Sequence, residues 1–471
     1  MIWQWKSKKK HEVEIEQNIE LMRFSSYAMN LLEKDEEFDI VEIEKGFRAA
    51  ALKDGNAAFC NFLSLIEAPS LQCPECNASL SKIDERDKNI VSLLGTGTFR
   101  RSYYECPNGH GHFIPCDDVI GVRGTAYTPG VRFATSKLAS AGSFEWASEA
   151  LADVAEIYIS QKEIQRISET VGEAIESKNK IHIEATKIPE SSRSQLSEYA
   201  DPINNNGMTM YIEYDGTGVP MTKRELLGRN GKQADGGSKT REAKLGCIFT
   251  QTTYDDKGNP VRSNNSTSYF VAIETSETFG WRVYAEAIRR DLKNYSRIVV
   301  LGDGAKWIWG IANKHFPKTI CIVDLYHAIE HLSKLAQEMF PNRYDQTVDL
   351  HDWKETLKSG DIEILVDKIT RIPNLSEKQK EKAKTEANYF SENADRMRYA
   401  EFKKMGLFVG SGVIEAGCKK VIGQRLKQSG MFWSLPGANA IIALRCADLS
   451  CNDDFTNIFE QKHNFVYAKS A

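Results

Sequence analysis

At 471 residues the chain is too long for one ordinary core, so several units, each burying its own apolar side chains, are expected. Hydrophobic residues at 41% and charged residues at 27% are the proportions of a globular chain and exclude a disordered or membrane-embedded one. A formal net charge of -4 excludes a protein that coats nucleic acid through bulk positive charge, while leaving room for local basic surfaces.

No apolar run is long enough for a bilayer, and the opening MIWQWKSKKKHEVEIE turns polar where a signal peptide needs an apolar stretch. A cytoplasmic location without membrane contact is expected. Residues 1–65 read as a helical N-terminal region, in which Ile19, Met22, Tyr27 and Leu31 share a helical face. Residues 66–125 change to Cys, Gly, Pro and short β-type runs. Within them Cys73-Pro-Glu-Cys76 and Cys106-Pro-Asn-Gly-His110 form two knuckles of metal-ligand spacing. A zinc-ribbon-like module follows, with a structural Zn2+ held by Cys73, Cys76, Cys106 and His110; His112 and Cys116 compete with His110 for the fourth place. Cys247, Cys321, Cys418 and Cys446 sit in apolar or helical text and read as buried thiols.

Residues 126–180 return to helical text, where SFEWASEALADVA and SQKEIQRISETVGEAIE are joined by EIYI. Ser160 and Glu163 have the spacing of a capping box, so the second helix starts at Ser160. The pair allows a DNA-binding helix-turn-helix and equally a helical hairpin packed on the core. Residues 181–206, polar and broken by Pro189 and Pro202, read as a linker.

After it Met208, Met210, Ile212 and Tyr214 alternate with Thr209, Tyr211, Glu213 and Asp215, the pattern of a half-buried strand closing in the turn DGTGVP. Two more strands, LGCIFTQTTY and STSYFVAI, are separated by DDKGNP. A helix over 279–292, the buried strand RIVVLG, a helix over 306–316, the strand TICIV and a long helix from Leu325 complete the series. Three hairpin-type strands followed by strand and helix in alternation predict an α/β layer with a mixed sheet, the order of an RNase H-like core. Its first part is 207–329; a charged helical insertion fills 330–404, and 405–471 supply the second part and a C-terminal tail.

Asp215 and Asp303 each follow an apolar strand and precede a glycine. On neighbouring strands they emerge at one end of the sheet, a usual place for catalytic groups, although Asp before Gly is also ordinary turn chemistry. Carboxylates so placed suit Mg2+, which takes oxygen ligands, and two such ions activate the attacking and leaving oxygens of a phosphodiester. The basic groups Arg229, Lys232, Lys239, Arg241 and Lys244, and Lys419, Lys420, Arg425 and Lys427, are candidate phosphate contacts or solvated faces. Trp307, Trp309 and Trp433 suit the core, or stacking on an unpaired base.

YIEYDGTGVPM, TREAKLG, LGDGAKWIW, IVDLYHAIEHL and GSGVIEAGCKKVIGQRLKQSGMFWSLPGANAIIALR resemble, in order, the ISKra family of bacterial insertion-sequence transposases, distant relatives of Mutator-type enzymes. The resemblance runs from about Leu71 to Leu449 and implies an acidic triad of Asp215, Asp303 and Glu415 on an RNase H-like fold. It implies two catalytic Mg2+ ions, with Mn2+ able to replace them, and a supporting role for Asp324 and His327, which form an Asp-x-x-His step. Asp324 is the competing second metal ligand. His327 and His331, at i, i+4 spacing, suit a packed or DNA-facing helix better than zinc. The ribbon departs from the ISKra pattern, which has a second Cys-x-x-Cys where Gly109 and His110 stand here.

The implied partners are double-stranded DNA, both terminal inverted repeats and target, and further copies of the chain assembled on it. The implied location is the bacterial nucleoid. Metal-dependent cleavage and strand transfer is the leading activity. A transposase-derived DNA-binding regulator without chemistry, and an RNase H-like nuclease or resolvase, are the alternatives.

Overall fold

The computed structural model describes residues 39–68, 71–187, 208–231, 236–340, 343–459 and 466–467. The expected helix before residue 39, most of the linker and Lys232 lie outside the described residues. The chain divides into two compact units, Met1–Ala134 with Glu149–Ile159 and Phe459–Ala471, and Thr135–Ser148 with Ser160–Ile458. Among the described residues no helix is long and apolar enough to cross a membrane.

In the first unit α1 (Ile40–Ser64) opens at Asp39, whose side chain accepts the Val41 N–H. A long hairpin of β1 (Ser81–Ser92) and β2 (Gly95–Glu105) follows, with β3 (His112–Phe113) added to β2 before α2 (Pro115–Val119). Leu63, Ile90, Phe99, Val119 and Val122 form one small core. Cys73, Leu80, Tyr104 and Cys106 form another at the far end of the hairpin. So little apolar volume is what a metal staple supplements.

Helices α3 (Pro129–Ala141) and α4 (Phe144–Ala155) lead to α5 (Gln161–Lys187), where the Ser160 hydroxyl accepts the Glu163 N–H at 3.3 Å. This helix extends into the expected linker, because Ile183 and Thr186 still have a buried face to fill. It packs on α14 (Leu435–Leu449), and Gly172 permits the contact: a Cβ there would stand 2.0 Å from the Ala440 carbonyl oxygen.

The second unit is built on a mixed sheet of β4 (Thr209–Pro220), β5 (Thr240–Tyr254), β6 (Pro260–Arg262), β7 (Ser268–Ala272), β8 (Arg297–Gly302) and β9 (Ile320–Val323). The spatial order is β9-β8-β4-β5, with β6 and β7 both pairing β5. β4 and β5 are antiparallel over their shared length, whereas β8 runs parallel to β4 and β9 parallel to β8. Helices α6 (Ser276–Arg289) and α7 (Lys306–His315) form the crossovers. α6 lies earlier than the 279–292 expected, because the Thr275 hydroxyl accepts the Thr278 N–H and starts the helix there.

The strand carrying Asp215 does not stop in a turn. β4 continues to Pro220 because β5 pairs with it throughout, Asp215 facing Leu245 and Pro220 facing Thr240. Pairing with β8, by contrast, ends at Glu213 opposite Leu301. Asp215 therefore sits where one neighbour has ended and the sheet is open on that side.

From Leu325 to Lys404 the described chain is helical: α8 (Leu325–Met339), α9 (Arg343–Ser359), α10 (Ile362–Thr370), α11 (Glu377–Glu392) and α12 (Tyr399–Lys404). Trp353, Leu357, Ile362, Leu365, Ile369 and Phe390 supply its core. The chain then forms α13 (Gly412–Gly417), which runs into a π-helical stretch at Cys418–Gly423. The wider turn alters how carbonyls are satisfied, and the Lys420 oxygen takes the Arg445 Nε at 3.1 Å.

Candidate active site and metal centre

β4 and β8 run side by side in the same direction with Glu213 opposite Leu301, so Asp215 and Asp303, each two residues further on, lie just past the end of their mutual pairing, on one side of the sheet. Asp215 Oδ1 accepts the Gly216 N–H at 2.6 Å and Oδ2 accepts the Cys418 thiol at 3.0 Å. Asp303 Oδ1 accepts the Ala305 N–H at 2.9 Å, and Gly304 between them adopts φ +97, a conformation suited to glycine. Glu415, exposed on α13, faces the same space. A cleft of about 310 Å3 is lined by Asp215, Asp303, Asp324, His327, Glu330 and Glu415, together with Tyr214, Tyr326, Ser411 and Ile414.

Asp324 has a different part from the other carboxylates. It is 1% exposed; Oδ1 accepts the His327 N–H at 2.6 Å as the N-cap of α8, and Oδ2 accepts the Ser411 N–H. The Leu325 N–H also donates to the Val409 oxygen at 2.9 Å. Asp324 thus ties the start of α8 to the loop that launches α13. Of the two candidates for a second ligand, Asp303 is the more open.

Sequence reasoning missed Glu213. It lies on the strand two residues before Asp215, is 0% exposed, and accepts the Ile414 N–H at 2.9 Å through Oε2. Among the described residues its Oε1 has no hydrogen-bond partner. Burial, with the charges of Asp324 and Glu415 nearby, pushes its carboxyl up to about 8, which favours the protonated acid at neutral pH. The alternation placed Glu213 on the polar side with Asp215; covered strands bury both faces, and that pattern cannot separate the two.

The expected basic surface divides. Arg229, Lys239, Lys419, Lys420 and Lys427 are exposed, and Lys427 bonds the Thr217 hydroxyl just beyond Asp215. Arg241 is half-buried and pairs with Glu225 at 3.6 Å. Two members correct the expectation. Arg425 is 0% exposed, donates from Nε to the Ala139 oxygen at 2.7 Å, and lies against the Phe144 and Trp433 rings. Burial lowers its guanidinium to about 10. Lys244 is 8% exposed, pairs with Glu242 at 2.7 Å and lies 5.6 Å above the Trp307 ring, so it is a packing cation too. Trp309 and Trp433 are buried, and Trp307 packs edge-on against Tyr214 and Phe279.

In the first unit, Cys73, Cys76, Cys106 and His110 place one ligand atom each within 4.8 Å of one another. Cys73 Sγ is 3.7 Å and Cys106 Sγ 3.5 Å from His110 Nδ1, and Cys76 Sγ is 3.6 Å from Cys106 Sγ. These spacings fit a tetrahedral ion with Zn–S near 2.3 Å, so the set can bind zinc. The Ala78 N–H and the Asn108 amide bring the Cys76 thiol down to about 6, which favours the ligating thiolate at neutral pH. Of the competing fourth ligands, Cys116 is buried in the apolar core and His112 stacks on Tyr103. His110 completes the set.

The sequence profile of the uncharacterised protein family UPF0236 matches residues 75–462, a span that takes in both the His110 knuckle and the carboxylate cleft. The chain belongs to that family. A comparison with curated proteins returns no match. Among solved structures, the Drosophila P element transposase strand transfer complex aligns over 72% of this chain and 81% of that one, at 10% identity and a TM-score of 0.25. A likeness that slight carries no argument about fold or activity.

Proposed function

We propose that this member of the UPF0236 family is a DNA transposase of the acidic-triad type, cutting insertion-sequence ends and joining them to target DNA with Asp215, Asp303 and Glu415. The observation that carries the reading is the convergence of these three carboxylates, from two adjacent parallel strands and one helix, on a single open cleft. The sheet order β9-β8-β4-β5, with β5 antiparallel and β8 parallel to β4, supports reading the unit as an RNase H-like core, and the motif resemblance to ISKra transposases adds a finer assignment within the same reading.

The three carboxylates offer hard oxygen donors around one space, which suits Mg2+. Two such ions, when bound, supply charge stabilisation to the attacking and leaving oxygens of an in-line displacement. The chain's own work is positional. β4 and β8 fix two carboxylates rigidly, Glu213 and Asp324 fix the approach of α13, and Lys419, Lys420 and Lys427 offer cations to the phosphates of DNA.

The test is Mg2+-dependent cleavage of a labelled duplex carrying the inverted repeat that flanks the gene, beside a gel shift on the same DNA. Cutting followed by joining to a second duplex supports the transposase. Cutting without joining identifies a nuclease or resolvase, and binding without cutting a regulator.

A further inference from the structure

A chain of polar side chains leads from the helical segment into the cleft. His327 and His331 lie one turn apart on α8, with their Nε2 atoms 3.3 Å from each other. His331 Nδ1 is 2.7 Å from Glu386 Oε2 on α11, and its ring stacks on Tyr389 with centroids 4.3 Å apart and planes within 9°. The Tyr389 hydroxyl in turn donates to the Asp303 carbonyl oxygen at 3.1 Å. Glu386 is 6% exposed, and Lys382 holds its second oxygen at 3.0 Å. Burial alone would raise its carboxyl, but His331 and Lys382 outweigh burial and hold it below the usual range.

For neutral imidazoles the proton count follows. An ionised carboxylate only accepts, so His331 carries its proton on Nδ1. A neutral His331 then has a bare Nε2, and the contact to His327 needs a proton on His327 Nε2. That leaves His327 Nδ1 bare, on a ring that lines the cleft.

We propose that Glu386 and His331 are positioning residues that hold His327 as the Nε2–H tautomer, and that His327 Nδ1 accepts the proton of the attacking hydroxyl, whether water or a DNA 3′ end. This inference rests on the phosphodiester reading above. In the step the O–H bond breaks and its proton moves to His327 Nδ1. The freed oxygen pair forms the new P–O bond, and the old P–O3′ bond breaks with its pair leaving on O3′. A carboxylate orienting an imidazole is a recurring arrangement for general bases; a second imidazole is interposed here.

Among the described residues the charged and titratable groups facing His327 form a small set, Tyr326 beside it in the cleft included. On its own helix Glu330 Oε2 lies 3.8 Å from His327 Nδ1 and pairs with Lys334, and Asp324 caps the helix. From α11 come Glu386, Lys382 and Tyr389, and across the cleft stand Asp215, Asp303 and Glu415.

The experiment uses the full chain labelled with [15N]histidine, in which 1H–15N correlations report the tautomer of each ring. Wild type should show His331 protonated on Nδ1 and His327 on Nε2. Glu386→Gln presents an amide donor to His331 Nδ1, so both tautomers should invert. Cleavage of the inverted-repeat duplex at saturating DNA should drop by about 100-fold with KM little changed. His327→Ala should lose as much, and added imidazole should restore part of its rate; this arm stands even if Glu386→Gln fails to fold. Wild-type His327 protonated on Nδ1, or full cleavage with the tautomers inverted, overturns the relay and leaves the phosphodiester reading intact. A wild-type protein that cuts no DNA in Mg2+ overturns that reading, and the relay's role with it.

Discussion

Glu213 and Ile414 are joined by a 2.9 Å hydrogen bond from the Ile414 N–H to a carboxyl oxygen that solvent does not reach. The strand that carries Asp215 thereby holds the helix that carries Glu415. Because burial raises the Glu213 carboxyl to about 8, the folded chain binds a proton that the unfolded chain has already lost above its ordinary value of 4.5. This contribution to stability is fully present below the unfolded value and declines as pH rises through the folded one. Glu213→Gln keeps the acceptor and removes the titration. In metal-free protein its melting temperature should gain on wild type as pH rises from about 5 to about 9. A constant difference across that range would mean that Glu213 is ionised in the folded protein.

Asp324 and Asp303 should separate cleanly. Both oxygens of Asp324 are taken by backbone donors in a buried position, so Asp324→Asn leaves one donor poorly matched and should cost about 1–3 kcal/mol of stability. Its Mg2+ affinity should change little. Asp303→Asn should fold as wild type and lose Mg2+ affinity. Thermal unfolding and Mg2+ titration of the two variants check the pair, and the opposite pattern would make Asp324 the ligand.

One zinc ion per chain is expected at Cys73, Cys76, Cys106 and His110, whose ligand atoms already cluster. Cys76→Ser should abolish stoichiometric zinc in purified protein, and chelation should unfold the hairpin of β1 and β2 ahead of the sheet unit. Cys116→Ser should retain zinc, because that side chain belongs to the apolar core. Metal analysis with proteolysis of the 66–125 region reads both outcomes.

Arg425 and its neighbours in sequence should behave differently. Lys419, Lys420 and Lys427 are exposed, so replacing each by Gln should flatten the dependence of log K on log salt by about 0.9 per lost phosphate contact, with stability unchanged. Arg425→Met should act on folding, since it strips the Ala139 oxygen of its buried donor at a cost of about 1–3 kcal/mol. A salt slope altered by Arg425→Met at unchanged stability would return that residue to the DNA surface.

The strands that carry Asp215 and precede Asp303 were legible in the sequence because strand text is local: period two, an apolar run and a glycine after the acid; that they pair side by side came only from the fold. Depth was not legible either. KKVIGQRLK reads as a basic run, yet Arg425 points into the core between the nearby Trp433 and the remote Phe144, and bonds Ala139, 286 residues away. The same holds for Glu213, Glu386 and His331, whose partners lie 201 residues away for the first and 55 for the pair. A polar residue's role follows from what faces it, and only the fold supplies that. The continuation of β4 beyond Asp215 was hidden for a related reason. DGTGVP has turn composition, but its pairing with Thr240–Leu245 keeps it extended.

The acidic triad gives the most demanding test, since it carries the proposed function. Asp215→Asn, Asp303→Asn and Glu415→Gln each remove one negative oxygen donor at nearly constant volume, and none of the three side chains is fully buried, so folding should survive. If the carboxylates act as one metal-binding unit, each single change should abolish both end cleavage and strand transfer, and a double change should add little. DNA binding should persist, because the exposed lysines beside the cleft are untouched. Glu415→Gln is the sharpest arm: Glu415 lies on α13 and not on the sheet, so its loss reports on the helix that Glu213 and Asp324 hold in place. Mg2+-dependent cleavage of the inverted-repeat duplex, run beside a gel shift, reads all three. Full cleavage by Glu415→Gln, with the two Asp variants dead, would reduce the site to a pair of carboxylates and remove α13 from the chemistry. Cleavage by all three would exclude the triad as the catalytic centre.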